Sequence, residues 1–159
     1  DLISMTLGQI DNLQTQMLRH PQNSWNSSAI GRYQIVRTTL RRIKSQLNIP
    51  DNKYFDEQMQ DRMACYLLGY RGVDDWLAGN LSTHVFMESL AQEWASFPTP
   101  EGVGYYSNQK NTPITPDDVR NTLKEVRRRH LNGPEGPVDK TPEQEHWFIR
   151  LLKILFGVK

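Results

Sequence analysis

The chain has 159 residues, 37% hydrophobic and 23% charged, with 19 basic against 18 acidic side chains and a net charge of +1. That length is enough to bury about two-thirds of the unfolded surface around one real core, and the flat charge balance gives no global reason to expect a nucleic acid partner. One cysteine and four scattered histidines exclude a disulfide framework and a cysteine-based zinc site, no cofactor is expected, and no run reaches the roughly 18 apolar residues that span a bilayer.

The chain starts at Asp1 rather than Met, so residues upstream are expected to have been removed, by processing or otherwise, or to lie outside the residues given; nothing has the pattern of a signal peptide. Thr6-Leu7-Gly8-Gln9 has the form of a capping box. It opens a predicted helix with Leu7, Ile10, Leu13, Met17 and Leu18 on one face, ended by His20-Pro21. Residues 21–28 are polar and read as a surface loop. A second helix is predicted over about 35–47, with Ile35, Leu40, Ile43 and Leu47 inward and a solvated basic face of Arg37, Arg41, Arg42 and Lys44. A third, from about Asp56 to Tyr70, carries the stripe Phe55, Met59, Met63 and Leu67, with Cys65 expected as a small packing residue.

Gly69 and Gly72 bracket a turn before a short helix, Val73 to Leu77. Ser82 caps a helix predicted over about 83–96, with Val85, Phe86, Leu90 and Trp94 inward and Pro98 and Pro100 as its stop. Thr115-Pro116-Asp117-Asp118 combines a cap, a first-position proline and two acids at the positive end of the dipole, and opens a helix to about Leu131. Residues 132–142 are rich in proline and glycine and read as a linker, and residues 143–159 as an amphipathic helix. The fold class is therefore mainly α, α+β at most, with one domain over 1–131.

The segment Ser28-Ala29-Ile30-Gly31-Arg32-Tyr33-Gln34-Ile35 interrupts the helical periodicity. Glycine allows close backbone approach to a ligand, while Tyr33 and Gln34 offer a stacking ring and neutral hydrogen-bonding groups, the groups that read sugars. A turn leading into a helix, with incidental polar residues, is the plainer alternative.

This segment resembles the signature of the phage-lambda-type lytic transglycosylases, endolysins of the lysozyme-like superfamily. The resemblance continues in order through Asp56, Gln58 and Asp61, through Leu67-Leu68-Gly69-Tyr70-Arg71-Gly72, through Glu93-Trp94-Ala95-Ser96-Phe97-Pro98, and through Gly104-Tyr105-Tyr106. It covers roughly residues 1–130. It implies a lysozyme-like fold and murein glycan strands as substrate. The implied groove is lined by Ser28, Gly31, Arg32, Tyr33, Gln34, Tyr105 and Tyr106, with Tyr33, Gln34, Tyr105 and Tyr106 sharing one cleft. It also implies a phage-encoded protein acting at the bacterial wall, in the periplasm or carried in a virion. The family's catalytic glutamate lies upstream of the stretch resembling Asp1–Leu18, so it is expected outside the residues given. Glu57, Glu88, Glu93 and Glu101 are the internal acids considered in its place, with Glu93 beside Trp94 as the fallback.

Two other readings stay open: a non-catalytic virion or wall-binding protein that keeps the groove, and a structural protein that assembles through its C-terminal helix. Lys124, Arg127, Arg128, Arg129 and His130 read first as cations offsetting a helix dipole, and otherwise as a contact for an anionic polymer, lipid or nucleic acid. Trp147, Phe148, Leu151, Leu152, Leu155 and Phe156 form so wide an apolar face that the last helix is expected to dock on protein or on a membrane surface.

Overall fold

The structure, a computed structural model, describes residues 1–106 and 114–132. The fold is mainly α. Six α-helices and one short 3-10 turn are present among the described residues, with no sheet and only two isolated bridges, Thr6 with Tyr54 and Ile30 with Ile35. Residue 132 closes the last helix; the rest of the expected linker and the expected C-terminal helix lie outside the described residues. The chain divides into two compact units, Asp1–Tyr66 and Leu67–Lys159.

In the first unit, the turn Leu2–Ser4 precedes α1 (Leu7–Arg19). The capping box forms as its spacing predicts: Thr6 Oγ1 accepts from the Gln9 N–H at 3.3 Å, and Gln9 Oε1 accepts from the Thr6 N–H at 2.8 Å. His20 turns extended ahead of Pro21 and ends the helix. α2 (Arg37–Gln46) packs against α1, and α3 (Glu57–Tyr70) begins in this unit. Leu7, Ile10, Ile35, Leu40, Ile43, Phe55 and Met63 are all buried, each contributing about 1.5–3 kcal/mol on leaving water.

The polar face of α2 departs from expectation. Asp11, on α1, has a side chain only 18% exposed, and it accepts from Arg41 Nε at 2.5 Å and from Nη2 at 2.7 Å. Lys44 pairs with Asp51, and Arg37 donates to Thr15 Oγ1 at 3.0 Å. The basic face of α2 is thus largely tied down by partners that lie on other elements. The Arg41 hydrogen bonds, more than any other cause, hold the Asp11 carboxyl below its ordinary range. A depressed carboxyl contributes stability that is present above the unfolded value, near 4, and is lost as pH falls through the lower folded value. Urea midpoints between pH 6 and pH 3 should therefore fall less steeply for Asp11→Asn than for the parent chain.

Cys65 is exposed, not a packing residue, because Met63, Ala64, Leu67 and Leu68 take the buried face of α3. In the second unit, Gly72 adopts φ +93°, a conformation glycine reaches at no steric cost, and starts α4 (Val73–Leu77). α5 (Thr83–Glu93) is capped by Ser82, whose hydroxyl accepts from the Val85 N–H, and packs on both α4 and α6 (Pro116–Asn132). At the start of α6, Thr115 Oγ1 accepts from the Asp118 N–H at 3.2 Å, and Asp118 Oδ2 accepts from the Thr115 N–H at 2.8 Å. Trp76, Phe86, Met87, Leu90, Trp94, Phe97, Val119 and Leu123 are buried in this unit, with Trp76 stacked on Phe86 at 5.0 Å.

Two expectations for α5 are corrected. The helix stops at Glu93 rather than near 96. A turn closed by the Phe97 N–H on the Trp94 carbonyl at 2.9 Å replaces the last helical turn, and both rings are buried. Val85 is exposed, because Phe86 and Met87 take the inward positions. No helix among the described residues is long and apolar enough to cross a membrane.

Candidate functional site

The expected sugar-reading segment is a closed turn in the first unit. Ile30 and Ile35 exchange backbone hydrogen bonds at 3.2 and 3.0 Å, and the Gln34 N–H reaches back to the Gly31 carbonyl at 3.3 Å. Four residues complete that reversal only because Gly31 and Gln34 both take left-handed backbone conformations, φ +73° and φ +52°. At Gly31 the lack of a side chain is also a matter of space. A Cβ there would lie 2.6 Å from Gln60 Oε1 and 2.9 Å from the Phe55 ring.

Buried amides and carboxylates fix the turn. Gln14, fully buried on α1, donates through Nε2 to the Ser28 carbonyl at 2.9 Å and to the Ile35 carbonyl at 2.8 Å. Gln60 accepts from the Arg32 N–H at 2.9 Å while its own amide donates to the Phe55 carbonyl. The Arg32 guanidinium pairs with Glu57 at 2.9 Å and with Asp61 at 3.5 Å. The Tyr33 hydroxyl donates to Asp61 Oδ1 at 2.6 Å. Burial, reinforced by the Asp61 carboxylate, pushes the Tyr33 phenol above its ordinary value, so it remains a neutral donor.

These contacts revise the roles expected of individual residues. The Tyr33 ring has no exposed surface, so it is a structural anchor and presents no stacking face. Ser28 is buried as well, and its hydroxyl accepts from the Arg37 N–H at 3.0 Å. Arg32 and Gly31 are half-buried within the network. Gln34 is the exposed member, with one amide hydrogen bond to the Gly31 carbonyl at 3.0 Å and its carbonyl oxygen turned to no protein donor among the described residues.

In the second unit, Tyr105 and Tyr106 are 46% and 49% exposed and meet edge to face at 5.1 Å. Tyr106 donates its hydroxyl proton to the Gln92 carbonyl at 2.8 Å, which orients its ring and leaves an aromatic surface in water. Glu93, the fallback acid, has a side chain only 6% exposed and accepts from Arg71 Nε at 2.7 Å; Arg71 also donates to Gln92 Oε1 at 3.0 Å. The Arg71 guanidinium thus occupies this carboxylate. Of the other acids considered, Glu57 pairs with Arg32, and Glu101 stands 3.5 Å from His84.

Gln14, Gln60 and the Arg71–Glu93 pair escaped sequence reasoning. Gln14 did leave a trace, as an amide set among the apolar positions Leu7, Ile10 and Met17 of one helical face. Gln60 and Arg71 left none, because each acts on a partner more than twenty residues away.

A family model described as Endolysin matches residues 8–117, a span that contains the Gly31–Gln34 turn, the Arg71–Glu93 pair and the two exposed tyrosines. Comparison with curated proteins and with solved structures returns no match.

Proposed function

This chain belongs to the endolysin family of phage proteins that degrade the bacterial cell wall, and from that premise we propose that it cleaves peptidoglycan glycan strands by lytic transglycosylation. The observation that carries the reading is the Gly31–Gln34 turn. Its backbone is locked from beneath by Gln14, Gln60 and Asp61, and it presents the Gln34 amide outward. A preset amide suits an N-acetylated sugar, whose acetamido group both donates and accepts. In the second unit, Tyr105 and Tyr106 present exposed rings of the kind that stack on sugar faces.

Glycan cleavage needs a carboxylic acid at the leaving oxygen. In transglycosylation that acid protonates the glycosidic oxygen as the C1–O bond breaks, the muramoyl 6-hydroxyl forms the new bond to C1, and the hydroxyl proton returns to the carboxylate. Atoms balance without water, and the product ends in a 1,6-anhydro ring. The resemblance puts the donor glutamate upstream of the stretch matching Asp1–Leu18. We assign the proton donor there and give Glu93 to the Arg71 ion pair.

The protein carrying its upstream segment should release anhydro-ended muropeptides, detected by mass spectrometry, and no new reducing ends. Reducing ends in equal number would replace transglycosylation with hydrolysis. Gln34→Gly keeps the left-handed turn while removing the amide. It should weaken chito-oligosaccharide binding by about 1–3 kcal/mol, or about 5- to 150-fold, with no loss of thermal stability. Unchanged affinity would remove the turn from the groove.

A further inference from the structure

Arg120, Lys124, Arg127, Arg128 and Leu131 recur along one side of α6 and, with Trp76, line a cavity of about 540 Å³ within the second unit. That volume lies in the range of small-ligand sites. No residue lining the cavity is acidic.

The helix dipole does not account for this stripe. Its effect is confined to the first and last turns, where it favours cations at the C-terminus and disfavours them near the N-terminus. Arg129 and His130 occupy the last turn, whereas Arg120 and Lys124 stand earlier, Arg120 within five residues of the helix start. Local ion pairs engage only part of the charge. Arg120 pairs with Asp117 at exposed positions, where such a pair is weak, and also donates to the Pro100 carbonyl at 2.9 Å, while Arg128 holds Glu125 through two hydrogen bonds, a carboxylate it shares with Arg129. Lys124 is exposed and has no ion-pair partner among the described residues.

The walls of the cavity are preset. Arg127 Nη2 donates to the Trp76 carbonyl at 2.6 Å, and its guanidinium stands 4.4 Å over the indole, whose other neighbour is Phe86. Leu131 is 72% exposed, and the aliphatic stems of the cationic side chains extend its apolar surface. Cations that line one hollow beside an exposed apolar surface match an anion carried on an apolar body. Two guanidinium groups and an ammonium around one hollow suit a doubly charged phosphate monoester better than a single carboxylate.

We infer that this cavity binds a phosphate-bearing amphiphile, its phosphate held by Lys124, Arg120 and Arg128 and its apolar part laid against Leu131 and the aliphatic stems of the cationic side chains. Titration calorimetry on the full chain tests the assignment, with dihexanoyl phosphatidic acid below its micellar concentration, dihexanoyl phosphatidylcholine and inorganic phosphate as probes. Phosphatidic acid should bind, with inorganic phosphate and the choline lipid each at least tenfold weaker. Lys124→Gln should weaken phosphatidic acid at least tenfold, and Arg129→Gln, which removes the same charge outside the cavity, by less than twofold. Equal losses in the two variants would make the attraction diffuse. Equal binding of inorganic phosphate would remove the apolar half of the site, equal binding of the choline lipid would remove the phosphate half, and absence of binding would remove the site.

Discussion

Gly31→Ala should destabilise the protein by about 2–4 kcal/mol, the combined cost of a left-handed residue bearing a side chain and of overpacking. The methyl group would meet Gln60 Oε1 at 2.6 Å and the Phe55 ring at 2.9 Å. Gln60 cannot move aside freely, since it accepts from the Arg32 N–H and donates to the Phe55 carbonyl. A loss of that size lowers the melting temperature on the order of 10 °C. Gly79→Ala supplies the comparison: Gly79 also has positive φ, at +83°, but nothing lies within 4 Å of its would-be Cβ. It should cost about 1–2 kcal/mol, the conformational part alone. Equal losses at both positions in denaturant unfolding would show that the packing beneath Gly31 yields.

Glu93→Gln separates a structural from a catalytic carboxylate. Removing one partner of a buried ion pair typically costs about 3–5 kcal/mol, because the other charge is left uncompensated. The Arg71 side chain is about one-fifth exposed and keeps its hydrogen bond to Gln92, so the loss here should be nearer about 2 kcal/mol. Wall clearing per folded molecule by the protein carrying the upstream segment, measured well below the unfolding temperature, should be unchanged. Abolished clearing with an unchanged unfolding midpoint would reinstate Glu93 as the proton donor.

What the sequence revealed tracks how local each interaction is. The caps at Thr6, Ser82 and Thr115 join groups three residues apart, so short motifs determine them. Helix phase is less secure, because consecutive residues differ by 100° around the axis. Val85 beside Phe86, and Cys65 beside Ala64, accordingly fell on the wrong side. The segment resembling the family signature was located, but residue type does not state which way a side chain faces. Tyr33 carries a ring suited to sugars and spends it in the interior, because Asp61, 28 positions later, receives its hydroxyl. The Asp11–Arg41 and Arg71–Glu93 pairs were hidden for the same reason: each charge reads as solvated until the fold brings its partner.

The single amide of Gln14 has a consequence for cooperativity. It holds the Ser28 and Ile35 carbonyls together, so both ends of the segment between them hang on one buried side chain of α1. The segment cannot open at either end without breaking a hydrogen bond into that helix, and it therefore unfolds with α1 as one unit. Amide hydrogens at Ile30 and Ile35 should exchange at rates set by the opening of α1, while those of the neighbouring exposed stretch around Trp25 exchange by local fraying. In that sense the segment is part of the helix that carries it, although its backbone is nowhere helical.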